Sequence, residues 1–283
     1  MNFDQDKLRG MLWGLVVGDC MGSPIQFTPK DGHRKITAME PAVGVYGMDL
    51  PKGYWTDDSS MAFCIMESVI RLRRYDLPDI AWNFLRWYQT GFLSSWKRAF
   101  DIGGATHRAM RGILQGRLQN GDDSTQGNGS IMRFAPGFIL AEACNNPDIN
   151  AEISDLTHNS RAIRRLLAEL RLTCLALIDG DASRLHSTHT RESAPNSGWA
   201  FDTVEAATWA FCNHTTFRDG MLAAVNLGGD SDSIGAVYGQ LAGAYFGCDA
   251  IPQEWIHDVK DWQTIDARIT DFLKTIDEIR NRK

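Results

Sequence analysis

The chain predicts an all-α fold, and three observations carry that reading. Apolar residues recur at helical spacing over most of its 283 residues, no alternating strand pattern of convincing length turns up, and loops rich in glycine, proline and polar residues separate the periodic runs. A hydrophobic content of 43% with 23% charged residues is that of a soluble globular protein with enough apolar material for a sizeable core. Length alone allows one large or two ordinary domains. No loop has the length or low complexity of a linker and no internal repeat is detectable, so a single helical domain over 1–283 is expected.

In chain order, the first helix is expected around 3 to 18, about the apolar run from Met11 to Val17. The second carries Met61, Cys64, Ile65, Val69 and Leu72 on one stripe. Helical patterning continues around 78 to 90, 103 to 116 and 130 to 144. Ile163, Leu166, Leu167, Leu170, Cys174 and Leu177 form the next stripe, ended by Gly180. Helices follow around 203 to 213, 217 to 227 and 231 to 247, and Trp262, Ile265, Ile269, Phe272, Leu273 and Ile276 mark the last. The stretches Gly22 to Trp55, Gly116 to Gly129 and Asp179 to Trp199 read as loops that shape a cleft on a rigid scaffold.

The uncharged stretch from Ser233 to Cys248 carries Gly235, Gly239, Gly243 and Gly247 at an interval of four. It is shorter than the ~20 residues that span a bilayer and contains Gln240, so it reads as a buried central helix. Its bare glycine stripe would let another backbone approach closely.

A formal net charge of −6 and the lack of any Lys/Arg-rich run argue against a nucleic-acid-binding surface. The start of the chain, with two Asp before a short apolar run, lacks the basic segment and length of a signal peptide, so a cytoplasmic protein that does not engage membranes is expected. The six cysteines are dispersed without a C-x-x-C pair and suggest neither a disulfide framework nor a zinc site.

Two acidic clusters carry the clearest chemical signal: Thr56-Asp57-Asp58-Ser59 and Asp230-Ser231-Asp232-Ser233, each at the start of a helix-periodic run. Carboxylates and hydroxyls without Cys or His form an all-oxygen set suited to Mg2+, Mn2+ or Ca2+. Taken singly, each residue reads first as a helix cap or a first-turn acid, ahead of a metal ligand. Asp57 and Asp58 are expected to diverge at a helix start, and Asp230 and Asp232, two apart in an extended turn, to point to the same side. If the clusters meet, four carboxylates would repel one another unless cations neutralise them, and a pair of ions is the economical solution.

Other candidates have two readings each. Gly127-Asn128-Gly129-Ser130, before the apolar run Ile131 to Leu140, could cradle a phosphate with backbone N–H groups and the following helix start, or could be a turn with Ser130 as N-cap. Asp101, between Phe100-Asp101-Ile102 and the flexible Gly103 and Gly104, could have a pKa raised by burial and move protons, or could cap the next helix. His158, just before Asn159 and Ser160 at a helix entry, could be an acid or base, or a capping or packing residue. His186 and His189, in a polar loop, read as solvated.

Taken together, GLVVGDCMGSP (14 to 24), GYWTDDSSM (53 to 61), FDIGG (100 to 104), GNGSIMRFAP (127 to 136), LTH (156 to 158) and NLGGDSDSIGAVYGQLAGAYFG (226 to 247) resemble, in this order, the ADP-ribosylglycohydrolase family. That family includes the dinitrogenase-reductase-activating glycohydrolases and the ADP-ribosylarginine hydrolases. The resemblance runs from about residue 8 to 250. It implies a compact single-domain helical bundle holding two Mg2+ or Mn2+ ions on Thr56, Asp57, Asp58, Asp230, Asp232 and Ser233, with Ser233 where the family usually has Thr.

The resemblance also implies that Gly127, Asn128, Gly129 and Ser130 touch ADP-ribose with His158 close by. The implied reaction hydrolyses the bond between the anomeric carbon of ribose and a modified side chain, protein arginine first, through an oxocarbenium-like transition state. Asp57, Asp58, Asp101 and Gln26 then belong to the catalytic set, Asp101 with Gly103 and Gly104 facing the guanidinium. Gln26 stands where many relatives carry Glu, and an amide cannot act as a general base. Gly104 replaces an Asn of some arginine-directed relatives. Two other functions are therefore carried alongside: an ADP-ribose-binding regulatory protein that has lost catalysis, and a hydrolase of a small ADP-ribose derivative.

Overall fold

The computed structural model describes residues 4–282, and residue 3 of the first expected helix lies outside them. Twelve α-helices and two short 3-10 turns, with no strand among the described residues, bear out the all-α prediction. They are α1 (Gln5–Gly22), α2 (Asp57–Leu72), α3 (Leu77–Thr90), α4 (Gly104–Leu114), α5 (Phe134–Cys144), α6 (Asp148–Asp155), α7 (Arg161–Ile178), α8 (Ala200–Cys212), α9 (Phe217–Val225), α10 (Ser231–Phe246), α11 (Gln253–Asp258) and α12 (Trp262–Asn281).

The centre of the molecule is an antiparallel pair, α1 on α10. The predicted glycine stripe finds its partner in a second stripe on α1: Gly10 lies against Gly243, Gly14 against Gly239, Gly18 against Gly235 and Gly22 against Ser231. A Cβ on Gly14 would stand 2.1 Å from the carbonyl oxygen of Gly239, and one on Gly239 1.9 Å from that of Gly14. The two backbones touch, and no side chain fits between them. Gly247, counted in the stripe by sequence, instead ends α10 at φ 84°, which glycine adopts without strain.

Around this pair α8 and α9 pack on α10, α12 bridges α2 and α5, and α3 covers the outer face of α2. One continuous apolar core runs through these helices. Phe100 joins Ala42 and Leu50 in a small second cluster under the loop before α2.

Most predicted elements appear within a few residues of their expected ends. The helix expected over 130 to 144 begins only at Phe134, after a 3-10 turn at Asn128–Ser130. A long-range contact explains the difference. The buried amide of Gln240 on α10 donates to the carbonyls of Met132 (2.9 Å) and Ile131 (3.3 Å) and accepts from Ala135 N–H (2.7 Å), in place of helical hydrogen bonds there. Helices α6 and α11 were not expected from the pattern, which is weak over 8 and 6 residues. No described helix is long and apolar enough to cross a membrane.

Candidate active site

The α1/α10 pairing decides where the two acidic clusters lie, because it sets the C-terminal end of α1 against the start of α10. Asp19, in the last turn of α1, is fully buried, and its carboxylate accepts from Thr56 N–H (2.9 and 3.1 Å), Ser59 N–H (3.0 Å) and the Ser59 hydroxyl (2.6 Å). It therefore caps α2 from another helix, and the N-cap residue Thr56 makes no cap bond with its own side chain. On the other side, Ser231 Oγ donates to the carbonyl of Gly22 (2.8 Å). One helix end thus holds both clusters.

They meet at Asp58, whose Oδ2 accepts from Thr56 Oγ1 (3.2 Å) and lies 3.5 Å from Ser233 Oγ. Asp230 and Asp232 do not form the expected extended turn. Asp230 is the N-cap residue of α10 and Asp232 lies in its first turn, so the two carboxylates face different partners. Asp230 is bracketed by two amides, Gln26 Nε2 on Oδ1 (3.0 Å) and Asn128 Nδ2 on Oδ2 (2.6 Å). Since a carboxylate only accepts, it fixes both amide orientations. A glutamate at 26 would set a second carboxylate against Asp230, whereas glutamine holds it. Asp232 Oδ1 accepts from Ser233 N–H (2.9 Å), and its neighbour across the site is Asp101.

Burial raises the carboxyls of Asp57, Asp58 and Asp232 well above the usual range, and mutual repulsion among these acids, Asp19, Asp101 and Asp230 raises them further. Asp101 is pushed up to about 6 by burial, against bonding with Asp232 and Gln26, and Asp19 to about 6, also by burial. Asp58 Oδ1 and Asp232 Oδ2 are buried without any hydrogen-bond partner. Orphaned carboxylate oxygens in a group of repelling acids are the setting a hard cation suits. Among the described residues no three His, Cys, Asp or Glu side chains are drawn tightly enough together to hold an ion as they stand; the acids are spaced round the floor of a cleft.

That cleft, about 310 Å³, is lined by Gln26, Phe27, Asp57, Asp101, Gly103, Gly104, Thr106, Gly127, Asn128, Gly129, Met132, His158, Gly198, Asp230 and Ser233, with Ile102 and Ala105. Thr56, Asp58 and Asp232 lie beneath its floor. Ser130, expected to touch the ligand, is turned into the interior, its hydroxyl buried and without a partner.

Several capping roles weighed from sequence are not the ones used. Asp101 does not cap α4, whose N-cap residue is Gly103; it has left-handed backbone (φ 57°), a strained state for a non-glycine residue, and faces the cleft. Ser130 does not cap α5, which starts four residues later. His158 does not cap α7, whose N-cap residue is Ser160; its Nδ1 lies 2.7 Å from Thr157 Oγ1.

Sequence reasoning passed over Asp19, Arg133, Thr157 and Trp199. The first two left a signal, since each is a lone charge inside an apolar run, a place where charges stay only when partnered. Trp199, half-exposed, follows Gly198 at the cleft rim and bonds Gln126 through its indole N–H (3.1 Å).

The model of the ADP-ribosylglycohydrolase family matches residues 2–282. This chain belongs to the ADP-ribosylglycohydrolase family. It is 33% identical to the ADP-ribosylarginine hydrolase Tri1 of Pseudomonas putida (strain GB-1), over 97% of this chain and 80% of that protein. It is 28% identical to the ADP-ribosyl-[dinitrogen reductase] glycohydrolase of Rhodospirillum rubrum, over 89% of each. A solved structure described as an ADP-ribosylglycohydrolase-related protein complex superposes with a TM-score of 0.81 at 32% identity, covering 96% of this chain and 98% of that one. The all-α fold of the family is thus the fold of this chain, and its acidic cleft is where a family reaction has to be sought.

Proposed function

We propose that this glycohydrolase uses divalent cations, Mg2+ or Mn2+, to hydrolyse the N-glycosidic bond between ADP-ribose and an arginine side chain of a protein. The observation that carries the reading is the meeting of the two acidic clusters at Asp58, with carboxylate oxygens of Asp58 and Asp232 buried and unpartnered beneath the floor of the cleft. Thr56, Asp57, Asp58, Asp230, Asp232 and Ser233 would hold the ions. Bound there, divalent cations supply Lewis acidity and a more acidic water. The arginine linkage draws support from the relative named an ADP-ribosylarginine hydrolase.

The reaction breaks the bond from the anomeric carbon to the guanidine nitrogen, joins that carbon to a water oxygen, and returns a proton to the departing nitrogen. Asp101 is the residue of this chain suited to the leaving group: it faces the cleft, its carboxyl is pushed up to about 6, and the bare Gly103 and Gly104 beside it leave room for a planar guanidinium. Gln26 serves by orienting Asp230 rather than as a base. Gly127 and Gly129 expose backbone to the diphosphate, and Trp199 offers an aromatic face at the rim to a base.

Asp101→Asn is expected to lower kcat on arginine-linked substrate by roughly a hundredfold with little change in ADP-ribose affinity, measured by steady-state kinetics and calorimetry. A variant with a normal kcat would remove Asp101 from the reaction. Product analysis on arginine-linked, serine-linked and O-acetyl-ADP-ribose substrates decides the linkage. Release from arginine alone is expected. ADP-ribose binding without release from any of them would make this a regulatory binding protein, and release only from the small ester would overturn the arginine reading.

A further inference from the structure

Behind the glycine-rich turn lies a buried cation that the reaction above does not use. Arg133 is 1% exposed and directs its guanidinium at neutral partners: Nη1 donates to the carbonyl of Gly129, Nη2 to Thr157 Oγ1 (2.7 Å), and the group lies 4.9 Å above the Phe84 ring. Thr157 Oγ1 in turn lies 2.7 Å from His158 Nδ1.

A guanidinium can only donate, so Thr157 Oγ1 is an acceptor toward Arg133, and the single hydroxyl proton is left with two places to go. One is His158 Nδ1 at 2.7 Å; the other is the Ser154 carbonyl at 3.5 Å, beyond the normal length of an O–H···O bond. The first choice makes Nδ1 an acceptor and puts the ring proton on Nε2. The ring stays neutral at pH 7, because burial and then Arg133 and Arg108 push its pKa down to about 3. Its Nε2 edge faces the turn, 3.5 Å from where a Cβ of Gly127 would stand, and the ring lines the cleft.

We propose that Arg133 and Thr157 are positioning residues that fix the Nε2–H tautomer of His158, so that the ring offers the cleft a permanent donor for an oxygen of ADP-ribose. The same arginine pins Gly129, so the turn and the histidine form one rigid wall. Only the naming of ADP-ribose rests on the function proposed above; the tautomer belongs to the free protein.

The test is a long-range proton–nitrogen correlation spectrum of protein labelled with 15N at its seven histidines, with the His158 signals identified by their loss in His158→Gln. The Nε2–H pattern is expected for His158 in the free protein. Thr157→Val should mix or reverse that pattern and weaken ADP-ribose binding by roughly tenfold, and Thr157→Ser should restore both. An Nδ1–H pattern in the unsubstituted protein, or an unchanged pattern in Thr157→Val, would overturn the proposal. Should Thr157→Val fail to fold, the unsubstituted spectrum decides alone. An Nε2–H pattern in a protein that does not bind ADP-ribose would uphold the tautomer and sink the proposed ligand.

Discussion

Asp58→Asn is expected to abolish divalent-cation binding and lower turnover by at least about a hundredfold, while raising the stability of the cation-free protein. The two effects have opposite signs because Asp58 sits where both clusters meet, taking hydroxyl contacts from Thr56 and Ser233 and leaving Oδ1 unpartnered. In the proposed site that oxygen belongs to a cation, and loss of a direct ligand exceeds the ten- to hundredfold typical of losing an outer partner. Without cations, burial and then repulsion from Asp19, Asp230 and Asp101 penalise the charged form of the same carboxyl. An isosteric amide removes that repulsion, for a gain on the order of 1 kcal/mol and a rise of about 2 °C or more in Tm. Calorimetric scans of both proteins in EDTA and in Mn2+ check this. A structural acid would instead make Asp58→Asn less stable under both conditions.

Gly239→Ala or Gly14→Ala is expected to cost about 3 kcal/mol or more, or to prevent folding altogether. The added methyl would stand 1.9 or 2.1 Å from the facing glycine's carbonyl oxygen, and backbone cannot rotate away as a side chain can. Relief requires α1 and α10 to separate, which also pulls Asp19 from Thr56 and Ser59 and Ser231 from Gly22. Gly104→Ala is the control: the nearest atom to its new methyl is Arg108 Nη1 at 3.4 Å, and the position opens α4, so stability should hold or rise slightly. Urea unfolding curves for the three variants decide the matter. A tolerated Gly239→Ala would show that the helix pair does not set the position of the site.

The fold was legible where a single helix contains its own reason. The stripe of Met61, Cys64, Ile65 and Val69 reads as one face of α2 because burial repeats at the helical period. It was illegible where a distant group substitutes for local bonding. Nothing near Ile131 announces that Gln240, more than a hundred residues on, will take over its carbonyl. The glycine stripe of α10 foretold a close backbone neighbour, yet the partner went unrecognised although Gly10, Gly14, Gly18 and Gly22 keep the same interval of four.

The site divides in the same way. Acids before an apolar helix could be noticed singly, but whether they capped, and whether they met, depended on the α1/α10 register. Asp19 took the capping task at α2, and Asp230 turned to Gln26 and Asn128. Asn128, expected on the ligand, spends its amide protons on Asp230 and Thr203. Ser130 faces inward because the 3-10 turn, not a helix start, occupies its position.

The most direct measurement is the number of Mn2+ ions bound per chain at equilibrium, read together with ADP-ribose release from an arginine-modified protein in the same samples. Two ions and metal-dependent release are predicted for the unsubstituted protein, with both lost when either cluster is cut by Asp57→Ala or Asp232→Ala. Release that persists in EDTA, or a variant of one cluster that keeps full Mn2+ binding and turnover, would contradict the assignment of the two clusters to a single cation site.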